Sequence, residues 1–442
     1  MAAAAAGAAG WRRKRHRDGD DFIGGAEGAP GGDTRPKPSG KKAKRAGSPE
    51  PTEDPQGHFG GKPGDLVDKR YEIVSEAGKG TFGRVLLCKD QKHSGRLVAL
   101  KAVRSIPKYV EAAKLEASIM RDVNRRDVDG QSLCVKYFRS FEWHKHFFIV
   151  TEPLGNSLYD YIKANDYRPL PLFCVQAFAD QLLTSVAFLH DMRLVHTDLK
   201  PENVLLRSRK PLTRTHKLTC TREPTPVLAP ASTSIRLIDF GGATFDSGRK
   251  SALINTRQYR APEVILGQGW SMASDLWSVG CILMELYTGR LLFSTHDSHE
   301  HLALMECCLG AFPERMRHAG QAAKFFHRST GGLRYWDSPD KESLAHVTRM
   351  RKLEFTVHPR DNVFLAFVRT LLTFDPAERA TAAEALNHPF FVSVRGVVAP
   401  PVAAPAGGGA STPSVSSDAT LRPAAAAKPA AAAKPAEPAA KP

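Results

Sequence analysis

Hydrophobic and polar positions divide the 442-residue chain into four stretches. Residues 1–65 are rich in Gly, Pro and Ala and almost lack large apolar side chains. They cannot bury enough surface to offset the entropy of ordering, so a disordered tail is expected. Over 71–150, short β-rich runs alternate with turns, and 71–76, 84–89, 97–103 and 147–152 read as strands. One helical stretch, 110–122, interrupts them. From about Ser157 helical patterns dominate, as in 172–191 and 273–287. After Gly396 the chain becomes low-complexity, with Ala-Ala-Ala-Lys-Pro repeats whose prolines prevent a stable helix, so 397–442 reads as a flexible tail. The folded part, 66–396, is expected to be α+β and bilobal. A small β-rich lobe with one helix covers about 71–153, and a larger, mainly α-helical lobe about 154–391.

Composition adds exclusions. A hydrophobic fraction of 42% with 24% charged residues is ordinary for a soluble domain. The longest apolar run, near 279–286, is broken by Glu285 and is too short to span a membrane, and the alanines at the start make a poor secretory signal. Seven scattered cysteines, with no CxxC pair, argue for a reduced compartment and against disulfides or zinc. The net charge of +16 sits mainly in the folded part, and the insert 207–234 alone carries six basic residues against one acidic. Basic runs at 12–17 and 41–45 read as nuclear-import or nucleic-acid patches, or as solvated basic chain. No RNA- or DNA-reading motif accompanies them, so direct nucleic-acid binding is not indicated.

The candidate chemistry concerns phosphate. Gly78-Lys79-Gly80-Thr81-Phe82-Gly83-Arg84-Val85 gives G-x-G-x-x-G-x-V between two expected strands. Glycines let the backbone approach phosphates, and a following strand excludes the dinucleotide-binding reading, which needs a helix there. Val98-Ala99-Leu100-Lys101 puts a lysine in an apolar strand, and Glu116 on the next helix is its nearest suitable partner. A hairpin glycine cluster and a strand-end lysine are the plainer readings of each alone. The segment His196-Thr197-Asp198-Leu199-Lys200-Pro201-Glu202-Asn203 changes that weighing. Asp198 can accept a hydroxyl proton, Lys200 can neutralise a transferring phosphoryl group, and Asn203 offers a carbonyl oxygen to Mg²⁺. Asp239, in Asp239-Phe240-Gly241, supplies the matching carboxylate, and Ala261-Pro262-Glu263 closes the segment that begins there.

In this order and spacing, residues 71–391 resemble a eukaryotic protein kinase. The resemblance implies ATP and Mg²⁺ as cofactors and protein Ser/Thr as substrate. It implies catalytic roles for Asp198, Lys200, Lys101 and Glu116, metal binding by Asn203 and Asp239, and nucleotide contacts from Ala77, Gly78, Gly80, Gly83, Val85, Ala99, Lys101, Glu152, Leu154 and Leu205. Thr151 falls at the gatekeeper position. Asp275 resembles the aspartate that braces the catalytic loop, and Arg379 the partner of Glu263. Tyr259-Arg260-Ala261-Pro262-Glu263 is similar to the CMGC group. Gly242-Ala243-Thr244-Phe245-Asp246, Thr295-His296-Asp297-Ser298 and Glu300-His301-Leu302-Ala303-Leu304-Met305-Glu306-Cys307 are similar to the LAMMER (Cdc2-like, CLK) kinases. The last departs from EHLAMMER at Leu304 and Cys307, and the second change removes a guanidinium. Thr197 stands where many kinases have arginine, and a neutral threonine cannot pair with a phosphate. Activity without phosphorylation of Ser251 or Thr256 is therefore expected. The family also carries an insertion where 207–234 lies, read here as a surface loop or a partner-contact surface.

By resemblance the substrates would be Ser/Arg-rich splicing factors, the location the nucleus (with cytoplasm as a second site), the state a monomer, and tyrosine autophosphorylation a further capability. A LAMMER relative acting in cell-cycle or chromosome-segregation (kinetochore) control is an alternative. So is a pseudokinase scaffold, against which the intact Lys101, Glu116, Asp198, Asn203 and Asp239 count.

Overall fold

The computed structural model describes residues 53–208, 211–215, 226–248 and 251–392. Both tails, apart from 53–65, lie outside the described residues. The first lobe is a six-stranded sheet of β1 (Leu66–Val67), β2 (Tyr71–Gly80), β3 (Gly83–Asp90), β4 (Arg96–Val103), β5 (Tyr137–Trp143) and β6 (His146–Thr151), in the order β1-β2-β3-β4-β6-β5. Every neighbouring pair is antiparallel. One helix, α1 (Pro107–Arg126), packs on it through Ala113, Ala117, Ile119, Met120 and Val123. Pro107 opens α1 where its missing N–H costs nothing, and Arg125 and Arg126 suit the negative end of the helix dipole. The helix is therefore longer at both ends than the expected 110–122.

Two sequence expectations are corrected in this lobe. Strand β5 was not foreseen, because Arg139, Ser140 and Glu142 break its apolar pattern; its residues are half-buried or exposed. Residues 53–65 are folded rather than part of a disordered tail. Phe59 is 1% exposed in a cluster with Tyr71, Ile73, Leu86 and Phe148, so one aromatic anchors a segment whose composition argues against order.

The second lobe contains α2 (Leu158–Ala164), α3 (Leu172–Asp191), α4 (Pro262–Ile265), α5 (Ala273–Thr288), α6 (Ser298–Leu309) and further short helices up to 391. By length and composition α3 would suffice to cross a membrane, although no run of that kind was expected. Its Val175, Phe178, Leu182, Leu183, Val186 and Leu189 are instead buried in the core, where it packs on α5. Short strands between the helices shape the cleft: β7 (Leu194–Val195), β8 (Val204–Leu206), β9 (Pro211–Thr215), β10 (Pro226–Pro230), β11 (Ile235–Leu237) and β12 (Thr244–Phe245), paired β7–β12, β8–β11 and β9–β10. The β9–β10 pair lies in the insert expected to be a loop. The buried amide of Asn165 anchors it, accepting from Leu228 N–H (2.6 Å) and donating to Leu228 O (3.1 Å).

Candidate active site

Antiparallel pairing aligns the first group of residues. Lys101 lies opposite Val85, and Ala99, two residues earlier on β4, shares its face. Ala77, Gly78 and Gly80 are exposed at the far end of β2. A Cβ at Gly78 or Gly80 would meet nothing within 4 Å, whereas one at Gly83 would lie 2.2 Å from Ala102 O. The first two glycines keep an open side for a ligand, and the third permits β3 and β4 to approach. Lys101 Nζ donates to both Glu116 carboxylate oxygens, at 2.7 and 2.8 Å, and lies 4.0 Å from Asp239 Oδ1. Burial works against the Lys101 ammonium, but Glu116 and Asp239 outweigh it and its pKa is raised, so the side chain is charged at neutral pH.

The second group is built on the loop after β7. Asp275, fully buried at the start of α5, accepts from the N–H groups of His196 (2.9 Å) and Thr197 (3.0 Å) and from His190 Nε2 (3.0 Å). Thr197 has φ +68°, an unfavourable value for a β-branched residue; Asp275 holds its N–H, and its hydroxyl donates to Gly242 O at 2.8 Å. His196 bonds Ile238 O through Nε2 (3.1 Å) and accepts from Asp198 N–H at Nδ1 (3.3 Å), an arrangement satisfied with the proton on Nε2. Its ring also packs on Phe240, buried at 5.5 Å between centroids, while Asp239 (φ +67°) keeps its side chain 39% exposed.

These supports bring the reactive atoms together. Lys200 Nζ donates to Asp198 Oδ2 at 2.5 Å, and Asn203 Nδ2 to Asp198 O at 2.9 Å. With its N–H end occupied, Asn203 is left with Oδ1 for a cation, and Asp239 offers a carboxylate. Two oxygen ligands plus phosphate oxygens suit a hard divalent ion. Leu205 lies half-buried on β8. The hinge is pinned by Glu152, whose N–H donates to Lys136 O (3.0 Å) and whose carboxylate accepts from Lys136 N–H (3.0 Å) and Arg236 Nε (3.2 Å). Among the described residues the Leu154 N–H makes no hydrogen bond, which leaves it for an adenine edge.

Thr256, on the activation segment, touches the catalytic pair directly: its hydroxyl donates to Asp198 Oδ1 (2.7 Å), its N–H donates to the same oxygen (3.1 Å), and Lys200 Nζ reaches its Oγ1 (3.1 Å). A phosphate there would displace the catalytic pair. Spacing gave no sign of this, since 58 residues separate Thr256 from Asp198. Ser251 is exposed. Arg260 is buried and donates to Ile254 O (2.9 Å) and Asn255 O (2.8 Å), and Asn255 N–H returns to Thr197 O (2.9 Å). Burial, with Arg257 beside it, lowers the Arg260 pKa. Glu263 and Arg379 form a buried two-bond pair at 2.7 and 2.9 Å. In α6, Asp297 caps the helix, and His301 is buried with its pKa pushed down to about 3, by burial first and then by Arg257 and Arg260. Cys307 is only half-buried.

Comparison with known proteins agrees with this geometry. The family model for the protein kinase domain matches residues 71–391. The dual specificity protein kinase CLK2 of Homo sapiens is 42% identical over 355 residues, covering 80% of this chain and 69% of that protein. The serine/threonine-protein kinase AFC3 of Arabidopsis thaliana is 44% identical over 348 residues, covering 77% and 86%. The dual specificity protein kinase lkh1 of Schizosaccharomyces pombe is 42% identical over 348 residues, covering 78% and 50%. A solved crystal structure of a kinase domain superposes with a TM-score of 0.73 at 37% identity, covering 76% of this chain and 99% of that one. The chain is a serine/threonine (dual-specificity) protein kinase using ATP and a divalent metal, and it belongs to the LAMMER branch of the CMGC protein kinases.

Proposed function

We propose that this kinase uses Mg²⁺-ATP to phosphorylate Ser/Thr in Arg/Ser-rich protein segments in the nucleus, and that it does so without prior phosphorylation of its activation segment. ATP supplies the phosphoryl group and the cation screens its charge. The chain's own residues do the rest: Asp198 orients and deprotonates the substrate hydroxyl, Lys200 steadies charge beside it, and Asn203 and Asp239 hold the cation. Lys101, set by Glu116, holds the inner phosphates.

The observation that carries phosphorylation independence is a lock on the activation segment that uses no phosphate. Thr197 bonds Gly242 O, Asn255 bonds Thr197 O and Thr256 bonds the Asp198 carboxylate, which ties the segment to the catalytic loop, while Arg260 braces it from within through Ile254 O and Asn255 O. The substrate reading has support from the LAMMER resemblance. A peptide-library assay on phosphatase-treated protein tests both parts. Preference for Arg-flanked serines at full rate is the expected result. Proline-directed preference rejects the substrate class, and recovery only after Ser251 is phosphorylated rejects the independence.

A further inference from the structure

The tip of the glycine-rich turn is tied down by three successive carbonyls. Gly80 O faces His58 Nε2 at 3.3 Å, Thr81 O accepts from Arg104 Nη1 at 3.0 Å, and Phe82 O accepts from the Arg104 N–H at 3.0 Å. Arg104 Nε in turn donates to Gln56 O at 2.7 Å. His58 and Gln56 belong to a strap, residues 53–61, which precedes the residues matched by the family model.

The strap has anchors of its own. Phe59 packs edge-on against Phe148 and Trp143, with centroids 5.3 and 5.9 Å away, Arg84 donates to Phe59 O and Gly61 O, and Ser105 N–H donates to Gly57 O at 3.0 Å. His58 is therefore not needed to seat it. The ring is 4% exposed and is aimed by Asp54, whose carboxylate faces Nδ1 at 3.0 Å, accepts the His58 N–H at 2.8 Å, and pairs with Lys79 of the glycine-rich turn at 3.1 Å. Burial opposes the Asp54 charge, but the His58 N–H and Lys79 outweigh it and hold the carboxyl well below its usual range. Both ring nitrogens face oxygen acceptors, the Asp54 carboxylate and Gly80 O, so the two contacts together need an N–H at each ring position.

A trans peptide points its N–H opposite to its C=O. Holding the Gly80 and Thr81 carbonyls on the strap side turns the N–H groups of Thr81 and Phe82 the other way. We propose that His58, oriented by Asp54, is a positioning residue for ATP: together with Arg104 it sets the turn so that these two N–H groups are presented to the nucleotide phosphates. A turn fixed before the ligand arrives loses less entropy on binding.

The test is steady-state kinetics on the full chain with ATP and a protein substrate varied separately, alongside thermal unfolding. His58→Ala raises KM for ATP about 5- to 10-fold, the value of about one hydrogen bond, with kcat within about two-fold of wild type. His58→Gln, whose amide restores a donor, recovers most of that loss. Ser105→Ala removes the strap's bond to Glu53 (3.1 Å) at a point away from the turn, lowers Tm and leaves KM for ATP unchanged. If His58→Ala does not fold, His58→Phe, which keeps the ring's bulk but has no donor, takes its place and raises KM for ATP in the same way. The proposal is overturned if KM for ATP stays at the wild-type value in these variants, if Gln recovers nothing, or if Ser105→Ala raises it equally.

Discussion

The catalytic loop and the glycine-rich turn face the same nucleotide and are built on opposite plans. Around Asp198 the backbone is bonded at His196, Thr197, Asp198 and Lys200, and the loop hangs from Asp275, which is fully buried. The turn from Gly78 to Phe82 is exposed throughout, with open space beside Gly78 and Gly80, and is held at its tip by three carbonyl contacts. The difference follows from what each must do. A general base misplaced by an ångström loses most of its effect, whereas a phosphate cradle must admit and release ATP in every cycle.

The comparison breaks most readily in the rigid half. Arg379→Ala leaves the Glu263 carboxylate buried and unpaired, and is expected to cost about 3–5 kcal/mol of stability by chemical denaturation. Arg193→Ala, at an exposed pair with Asp246, serves as the contrast and is expected to cost less than about 1 kcal/mol. At the junction of the two halves, Lys101→Met removes a placed cation, and kcat is expected to fall about 10²- to 10³-fold in a phosphoryl-transfer assay.

Buried His301 sharpens the comparison through pH. Its folded pKa, about 3, lies below that of a free histidine, so its contribution is fully present above about pH 6.5 and is lost as pH falls toward 3. Between pH 7 and 5 the protein is expected to lose about 2 kcal/mol on this account, and His301→Leu to remove that component from the stability–pH curve. In the exposed half the effects are smaller. Gly83→Ala, driven against Ala102 O, is expected to destabilise by about 1–3 kcal/mol, and Gly80→Ala by less, because it meets open space. Thermal unfolding of the pair ranks them.

Much of this was legible in the residues. Lys101, Asp198, Asn203 and Asp239 stand in ordered motifs and Glu116 on the helix after Lys101, and the structure brings all five to one cleft. Helix 172–191 was readable to its ends because Pro171 precedes it and apolar residues recur at helical spacing from Val175 to Leu189. What escaped depended on partners distant in the chain. Strand β5 has its aromatics interrupted by Arg139, Ser140 and Glu142, and it is held by laying Phe138, Phe141 and Trp143 on the cluster around Phe59 and Tyr71. The strap at 53–61 is ordered by one buried phenylalanine and by Lys79 of β2, Arg84 of β3 and Arg104 just after β4. Thr256 reads only as a position on the activation segment until folding brings its hydroxyl 2.7 Å from Asp198.

The central claim is that Asp198 acts as the base in a site already assembled. Transfer of labelled γ-phosphate should be measured with phosphatase-treated full-length protein, wild type against Asp198→Asn, with nucleotide binding followed in parallel. The account predicts an active wild type and a variant that binds ATP normally while turning over about 10²- to 10⁴-fold more slowly. Equal turnover by the two proteins would contradict it.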